Sequence, residues 1–347
     1  MNKIIINGRF LLHRVTGVER YAREIVSALD SYASPGQFEM AVPPETEEIP
    51  VYHNIPVCRV GKLQNRLWEH ISFPAYVKRR AGIALNLCNT APLPSPGIVA
   101  VHDMKPIVHP EYYSKLFVLW YRILFANELR RSQMILTGSR FSAREIIRCY
   151  HVDPHRIHLI PEGWQHYSTI ICDRYALERY GLKEREFFFF MGSRDPGKNL
   201  SWIIESARSH PEMVYAISGN INRSVFSKMP CEEEQDTLPD NVRLLGYVTD
   251  EEAKTLMRDC KAFLFPSFYE GFGMPPLEAL SAGCPCIVVS DIPVMHEIFG
   301  EQAVYIDPHK VGNFSCKDTD GKDVLTHYSW KKSAKKLIRL LEDNSYD

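Results

Sequence analysis

Almost from end to end, this sequence alternates short β-branched or aromatic runs with stretches whose apolar residues recur at helical spacing. Strands that are apolar on both sides need cover on both faces. The alternation therefore predicts parallel sheets wound with helices, an α/β class, in preference to a sandwich, barrel or bundle. In the first half the predicted strands are 3–7, 38–42, 56–60, 83–87, 98–101, 134–137 and 156–160. In the second half they are 187–191, 214–218, 242–245, 262–265, 286–289 and 304–306. Each set reads as its own doubly wound, Rossmann-like unit. A chain of 347 residues holds two such units, since a domain commonly takes about 100–200 residues.

The reading divides the chain into a first domain over 1–165 and a second over 166–328. The segment 161–186 connects the last strand of one set to the first of the other. Beyond it, 329–347 has Trp330, Ala334, Leu337, Ile338 and Leu341 at helical spacing with Lys or Arg between them, an amphipathic closing helix. Periodicity leaves open whether that helix packs on the second domain or joins the first.

Composition narrows the class of partner. Hydrophobic residues at 45% and charged residues at 24% set aside disordered and fibrous chains. A net charge of -1 gives no reason to expect nucleic acid. The balance is uneven, however: residues 1–165 carry 20 Lys or Arg against 14 Asp or Glu, leaving 21 against 28 for the rest. A basic first half suits an anionic substrate or an anionic membrane surface, and ordinary drift between two surfaces accounts for it equally. The nine cysteines lack regular spacing, and Cys284 with Cys286 forms a CxC instead of the CxxC of zinc and redox sites. They read as small buried side chains in a reducing compartment. With no apolar run near ~20 residues, the expectation is a cytoplasmic protein, peripheral on the inner face of the membrane if attached at all.

In open parallel sheets, ligands bind beyond the carboxyl ends of the strands, where loops feed helix N-termini. Four such loops carry chemistry. After strand 3–7, Thr16 and Glu19 have capping-box spacing, so a helix starts near Gly17, where the missing side chain lets a ligand approach the backbone. After 187–191 comes Gly192-Ser193-Arg194-Asp195-Pro196-Gly197-Lys198-Asn199, where two cations meet a helix start, as a phosphate or diphosphate requires. It is not a Walker A loop. After 262–265, Glu270-Gly271-Phe272-Gly273-Met274 leads into a helix containing Glu278. Exposed backbone N–H groups between two carboxylates suit a ligand dense in hydroxyls. After 98–101 comes His102-Asp103, whose imidazole either faces a ligand or is simply satisfied within the fold. Asp318-Thr319-Asp320 is a DxD, read as a polar surface loop, and no metal site is expected.

The stretch EGFGMPPLEALSAGCPCIVVS, with Glu270 and Glu278 as an E-x7-E element, resembles that of family 4 retaining glycosyltransferases of the GT-B fold. TGVERYAREI resembles the N-terminal glycine loop and helix of that family, and VHDMKPIVHP its His-Asp stretch. ILTGSRFSAREI resembles a strand and helix late in its first domain, GSRDPGKN its diphosphate loop, and YSWKKSAKKLIRLL its closing helix. The resemblance implies two Rossmann-like domains facing a central cleft, the first taking a glycan or lipid-linked saccharide acceptor and the second a nucleotide sugar donor. It implies that Glu278 binds ribose hydroxyls and Glu270 donor-sugar hydroxyls. The backbone of Gly271, Phe272, Gly273 and Met274 would approach the sugar and phosphates. Arg194 and Lys198 would neutralise the diphosphate, His102 would sit beside the transferred sugar, and Gly17 near the diphosphate.

The nucleotide sugar is then a substrate, and no cofactor is expected. The implied activity is hexosyl transfer with retention, in cell-surface polysaccharide synthesis, with His102 and Glu270 nearest the chemistry. One departure stands out. The family commonly places a basic residue immediately before the lysine, and this chain has Gly197 there. A sugar-nucleotide epimerase of the same architecture, or a noncatalytic sugar-nucleotide-binding subunit, remains open on these residues. For the acceptor side, Lys78, Arg79 and Arg80 following Trp68, Phe73 and Tyr76, with the aromatic stretch 112–131, are the candidates for membrane docking.

Overall fold

The computed structural model describes residues 3–193, 195–219 and 238–343. The chain forms two compact units. The first holds the residues up to Met104, then Leu119–Glu162, and those from Ser329 onward. The second holds Lys105–Val118 and Gly163–Tyr328.

The sheet of the first unit has seven strands: β1 Ile4–Asn7, β2 Phe38–Val42, β3 Val57–Arg59, β4 Ile83–Asn86, β5 Ile98–Ala100, β6 Met134–Thr137 and β7 Ile157–Leu159. All neighbours pair in parallel, in the order β3-β2-β1-β4-β5-β6-β7. The second sheet comprises β8 Phe187–Met191, β9 Val214–Ser218, β10 Val242–Gly246, β11 Ala262–Phe265, β12 Ile287–Ser290 and β13 Val304–Ile306. It is parallel as well, in the order β10-β9-β8-β11-β12-β13. Both sheets thus wind outward in two directions from their first strand. The reversal lies between β1 and β4 in one and between β8 and β11 in the other, the position where this topology opens a crevice for ligands. The predicted strands all form, with ends shifted by a residue or two, and the two-unit α/β expectation holds.

Strand sequence follows burial. β8 reads Phe-Phe-Phe-Phe-Met, and its four phenylalanines are buried on both faces of the sheet. β10, at the edge, buries little beyond Val242 and presents Arg243 and Leu244 to solvent.

The closing helix, Trp330–Asp343, belongs to the first unit. Its buried stripe of Trp330, Ala334, Leu337, Ile338 and Leu341 packs against the helix Gly17–Asp30, where the rings of Tyr21 and Trp330 meet edge-on at 5.7 Å. Ser333 Oγ donates to the Pro161 carbonyl at 2.6 Å, tying the helix to the end of the same unit. Burying each large apolar side chain of that stripe contributes about 1.5–3 kcal/mol, which fixes the helix where periodicity alone left two choices.

One sequence expectation needs correction here. Trp68 and Phe73 are fully buried, their rings 5.3 Å apart within the core of the first unit. Tyr76 and Arg80 both bond to the buried carboxylate of Glu39, which also takes Lys3 at 2.5 Å. Of the aromatics expected to face lipid, Trp68 and Phe73 are core, Tyr76 is half-buried, and those of 112–131 are half-buried apart from the buried Phe125, while Arg80 is engaged in an ion pair. Lys78 and Arg79 remain exposed. The exposed apolar residues are Leu67 and Ile71, with Leu119 and Ile123 within the expected stretch 112–131. No helix among the described residues is long and apolar enough to cross a membrane.

Candidate functional site

In the second unit the loop after β8 and the loop after β11 emerge from adjacent strands, on either side of the sheet's reversal. Lys198 closes a short 3-10 turn, Pro196–Lys198, and Asn199 adopts a left-handed conformation at the start of the helix Leu200–Ser209. Asn199 Nδ2 donates to the carbonyls of Pro266 at 2.9 Å and Pro308 at 2.7 Å, binding this loop to two others. From the turn, Lys198 Nζ reaches Glu270 Oε1 at 2.6 Å, so the fold joins a predicted cation to a predicted carboxylate. Both side chains stay partly exposed, as a pair that must meet a ligand should.

Gly273 ends the second loop with φ 113, a backbone conformation that other residues rarely adopt. A methyl group there would also lie 2.9 Å from Met295 Cε. The helix Met274–Ala282 starts at once, so its first N–H groups face the loop with the positive end of the helix dipole. Phe272 is buried with its ring 5.1 Å from that of Tyr328, and Met274 is buried as well, which anchors the loop. Glu278 is buried one turn into the helix, and its Oε1 meets His166 Nε2 at 2.8 Å. His166 was missed by the sequence reading because nothing in its neighbourhood, Gly163-Trp164-Gln165, marks it as a partner of Glu278. Arg194 lies outside the described residues.

The first unit holds the two other predicted site residues. Gly17 opens the helix Gly17–Asp30, and Thr16 N–H donates to Glu19 Oε2 at 3.3 Å as the capping box requires. A methyl group at Gly17 would meet nothing within 4 Å, so the protein itself does not demand glycine there. His102 is buried against Tyr21, ring centroids 4.5 Å apart, and its Nε2 lies 2.8 Å from the Leu87 carbonyl. A carbonyl accepts only, so Nε2 carries the hydrogen. Burial holds the imidazole below its usual pKa, hence neutral. His102 is therefore a fixed, uncharged ring whose Nε2–H is already committed.

Sequence reading also missed a polar cluster at the carboxyl ends of β1 and β4. Asn7 Nδ2 donates to Asn86 Oδ1 at 2.9 Å and to Glu69 Oε1 at 3.3 Å. Glu69 further accepts from Arg9 at 3.1 Å and from Thr90 at 3.1 Å. Alongside, Glu128 Oε1 accepts the Ala91 N–H at 2.6 Å. Burial pushes the Glu128 carboxyl up to about 8, with the nearby Glu69 charge adding to the shift. The Asp318-Thr319-Asp320 loop is a surface turn in which Asp320 pairs with Lys322 at 2.7 Å.

Residues 177–347 match the family model described as glycosyl transferases group 1. Over nearly the whole length, sucrose-phosphate synthase from Thermosynechococcus elongatus superposes with a TM-score of 0.75 at 15% identity, covering 99% of each chain. Anabaena HepE, solved in complex with UDP-glucose, superposes with a TM-score of 0.71 at 14% identity, over 98% of this chain and 99% of its own. The superpositions define the class of fold, the GT-B arrangement of two parallel-sheet α/β units, and the family likeness lies in the second half of the chain. Among curated proteins the chain is similar to O-antigen chain mannosyltransferase B of Escherichia coli, 26% identical over 96% of this chain and 93% of that one. It is also similar to O-antigen chain mannosyltransferase RfbU of Salmonella typhimurium, 29% identical over 63% of this chain and 59% of that one.

Proposed function

We propose that this protein transfers a hexosyl group, mannosyl by analogy with the named activity of its relatives, from a nucleoside diphosphate sugar to a glycan or lipid-linked saccharide. We assign the transfer retention of anomeric configuration, as in family 4, and a place in cell-surface polysaccharide synthesis at the inner membrane face. The observation that carries this reading is the Lys198–Glu270 pair at 2.6 Å, beside a glycine loop that runs into a helix N-terminus.

The roles follow from charge. As the bond to the nucleotide breaks, negative charge grows on the departing diphosphate and positive charge on the anomeric carbon. Lys198 and the backbone N–H groups at Met274 stabilise the first. Glu270, released from Lys198 when the diphosphate arrives, accepts hydroxyl protons of the donor sugar and holds its orientation. Glu278, steadied by His166, accepts from the ribose hydroxyls. Fixed cations supply the neutralisation that a divalent ion supplies in DxD enzymes, so the reaction is expected to proceed without added metal. Acceptor hydroxyls are assigned to the first unit.

The test is turnover by the purified chain with a panel of UDP, GDP, ADP and dTDP hexoses and an undecaprenyl diphosphate-linked saccharide, with NMR of the new linkage. A retained α-linkage from one mannosyl donor, unaffected by EDTA, is the expected result. Epimerised donor in the absence of acceptor, or an inverted product, would overturn the reading.

A further inference from the structure

Strands β8, β11 and β12 lie side by side in the second sheet, and near their amino ends each sends one side chain to the same face. Phe188 pairs in register with Ala262, and Cys286 stands one residue ahead of the pairing of Phe263 with Ile287. Phe188, Ala262 and Cys286 therefore form a row across three strands, and all three are buried in one apolar cluster. Over this row lies the irregular segment 307–320. Its Phe314 ring packs 5.5 Å from that of Phe188, and its Thr319 N–H donates to the Pro285 carbonyl at 2.9 Å. Cys316 sits between these two anchors, against the same cluster.

Cys286 is fully buried, as the sequence led us to expect of the cysteines, while Cys316 is half-buried between the exposed Ser315 and Lys317. The two thiols share a hydrogen bond in which Cys286 donates. That donation, with Lys261 nearby, pulls the Cys316 thiol down to about 7 against burial and the Asp318 charge. About half of it is then thiolate at pH 7. The same bond and burial push the Cys286 thiol up, so its proton stays on. Burial keeps the adjacent Tyr215 phenol neutral. Cys260 and Cys284 form a second pair with sulfurs 3.6 Å apart, but both are buried, and burial pushes Cys260 up. Of the two pairs, Cys286–Cys316 is the one with a partly exposed, acidified sulfur.

We propose that Cys316 is a peroxide-reactive site, with Cys286 as its resolving partner in an intramolecular disulfide. The Cys316 thiolate attacks one oxygen of a hydroperoxide, and the O–O bond breaks. The departing oxygen takes a proton from water and leaves as an alcohol, or as water from hydrogen peroxide, while Cys316 becomes a sulfenic acid. The Cys286 sulfur then attacks the Cys316 sulfur, the S–O bond breaks, and the Cys286 proton leaves with the hydroxyl as water. Two electrons pass from the thiols to the peroxide, and a small thiol reverses the bond by exchange. The new bond ties segment 307–320 to the start of β12. At the other end of the segment, the Pro308 carbonyl already accepts from Asn199, the neighbour of Lys198. This chemistry does not depend on what the donor loops bind.

The test treats the reduced full-length protein with hydrogen peroxide at pH 7, alkylates it and maps its peptides by mass spectrometry. A Cys286–Cys316 link that dithiothreitol removes is expected. Cys316→Ser should leave Cys286 as a free thiol, and in Cys286→Ala dimedone should trap a sulfenic acid on Cys316. Iodoacetamide alkylation of Cys316 should have its midpoint near pH 7 in the wild type. In Cys286→Ala the midpoint should move up toward about 8.5, the ordinary value for a thiol. Should Cys286→Ala fail to fold, Cys286→Val fills the core and serves in its place. Cys286 and Cys316 that stay free under peroxide, a link from either to another cysteine, or a Cys316 midpoint that does not move without Cys286 would overturn the pairing.

Discussion

Lys198 and Glu270 stand 72 positions apart in sequence, yet Nζ and Oε1 lie 2.6 Å apart, each held by a loop that leaves one of two adjacent parallel strands. Under the proposed function, a diphosphate would open this pair. Lys198→Ala leaves the Glu270 carboxylate facing the incoming diphosphate with no compensating charge, and kcat/KM should fall by about 100-fold or more. Glu270→Gln removes a negative charge from the same place, so it should keep nucleoside diphosphate affinity while losing turnover. Steady-state kinetics and calorimetry on the two variants separate these roles. Wild-type kinetics in Lys198→Ala would remove Lys198 from the site.

Two glycines give opposite expectations. Gly17→Ala adds a methyl group to open space with ordinary backbone angles, so thermal stability should be unchanged and any loss of kcat/KM must come from the ligand. Gly273→Ala forces a methyl group into a positive-φ position against Met295 and should cost about 1–3 kcal/mol, read as a lower Tm. A stable Gly273→Ala protein with full activity would show that the loop does not need its backbone geometry.

Glu128 supplies a pH dependence of stability. Its folded pKa is raised by burial to about 8 from an ordinary 4.5, so between these values the folded chain holds a proton that the unfolded chain has lost. Stability from this group therefore falls as pH rises through that window, by about 1.4 kcal/mol per pH unit. Glu128→Gln keeps the shape and the acceptor for Ala91 but does not titrate. Thermal melts at pH 5.5 and 7.5 should show a smaller decline in Glu128→Gln than in wild type. Identical declines would mean that Glu128 is ionised in the fold.

Membrane contact is expected at Leu67, Ile71, Leu119 and Ile123, all exposed, near Arg66, whose guanidinium lies 5.1 Å above the Trp120 ring. Exposed apolar side chains beside cations favour an anionic interface. Sedimentation with phosphatidylglycerol vesicles at low salt should weaken several-fold in Leu67→Asp/Ile123→Asp. Retained binding in that variant, or equal binding to neutral vesicles, would dismiss this surface.

The positions of strands and helices were readable because they follow from local periodicity. β8 declares itself by four consecutive phenylalanines, and the helix at Gly17 by Thr16 and Glu19. The loops carrying Lys198 and Glu270, and the helix start ahead of Glu278, were readable for a related reason, since glycines, prolines and charges cluster where a strand hands over to a helix. Their partners were not. His166 meets Glu278 from 112 positions away, and Asn7, Glu69 and Asn86 meet at strand ends with no shared motif.

What the sequence by itself determined is the order of elements and the places where glycine-rich and charged loops fall, because hydrophobic spacing and loop composition are written within a few residues of each other. Only the tertiary structure decided that Trp68 and Phe73 are core, that the closing helix packs on the helix at Gly17, and that Lys105 fills the space beside Gly197. These outcomes depend on which distant surfaces are buried together, and buried charges and shapes select their partners in space, not along the chain.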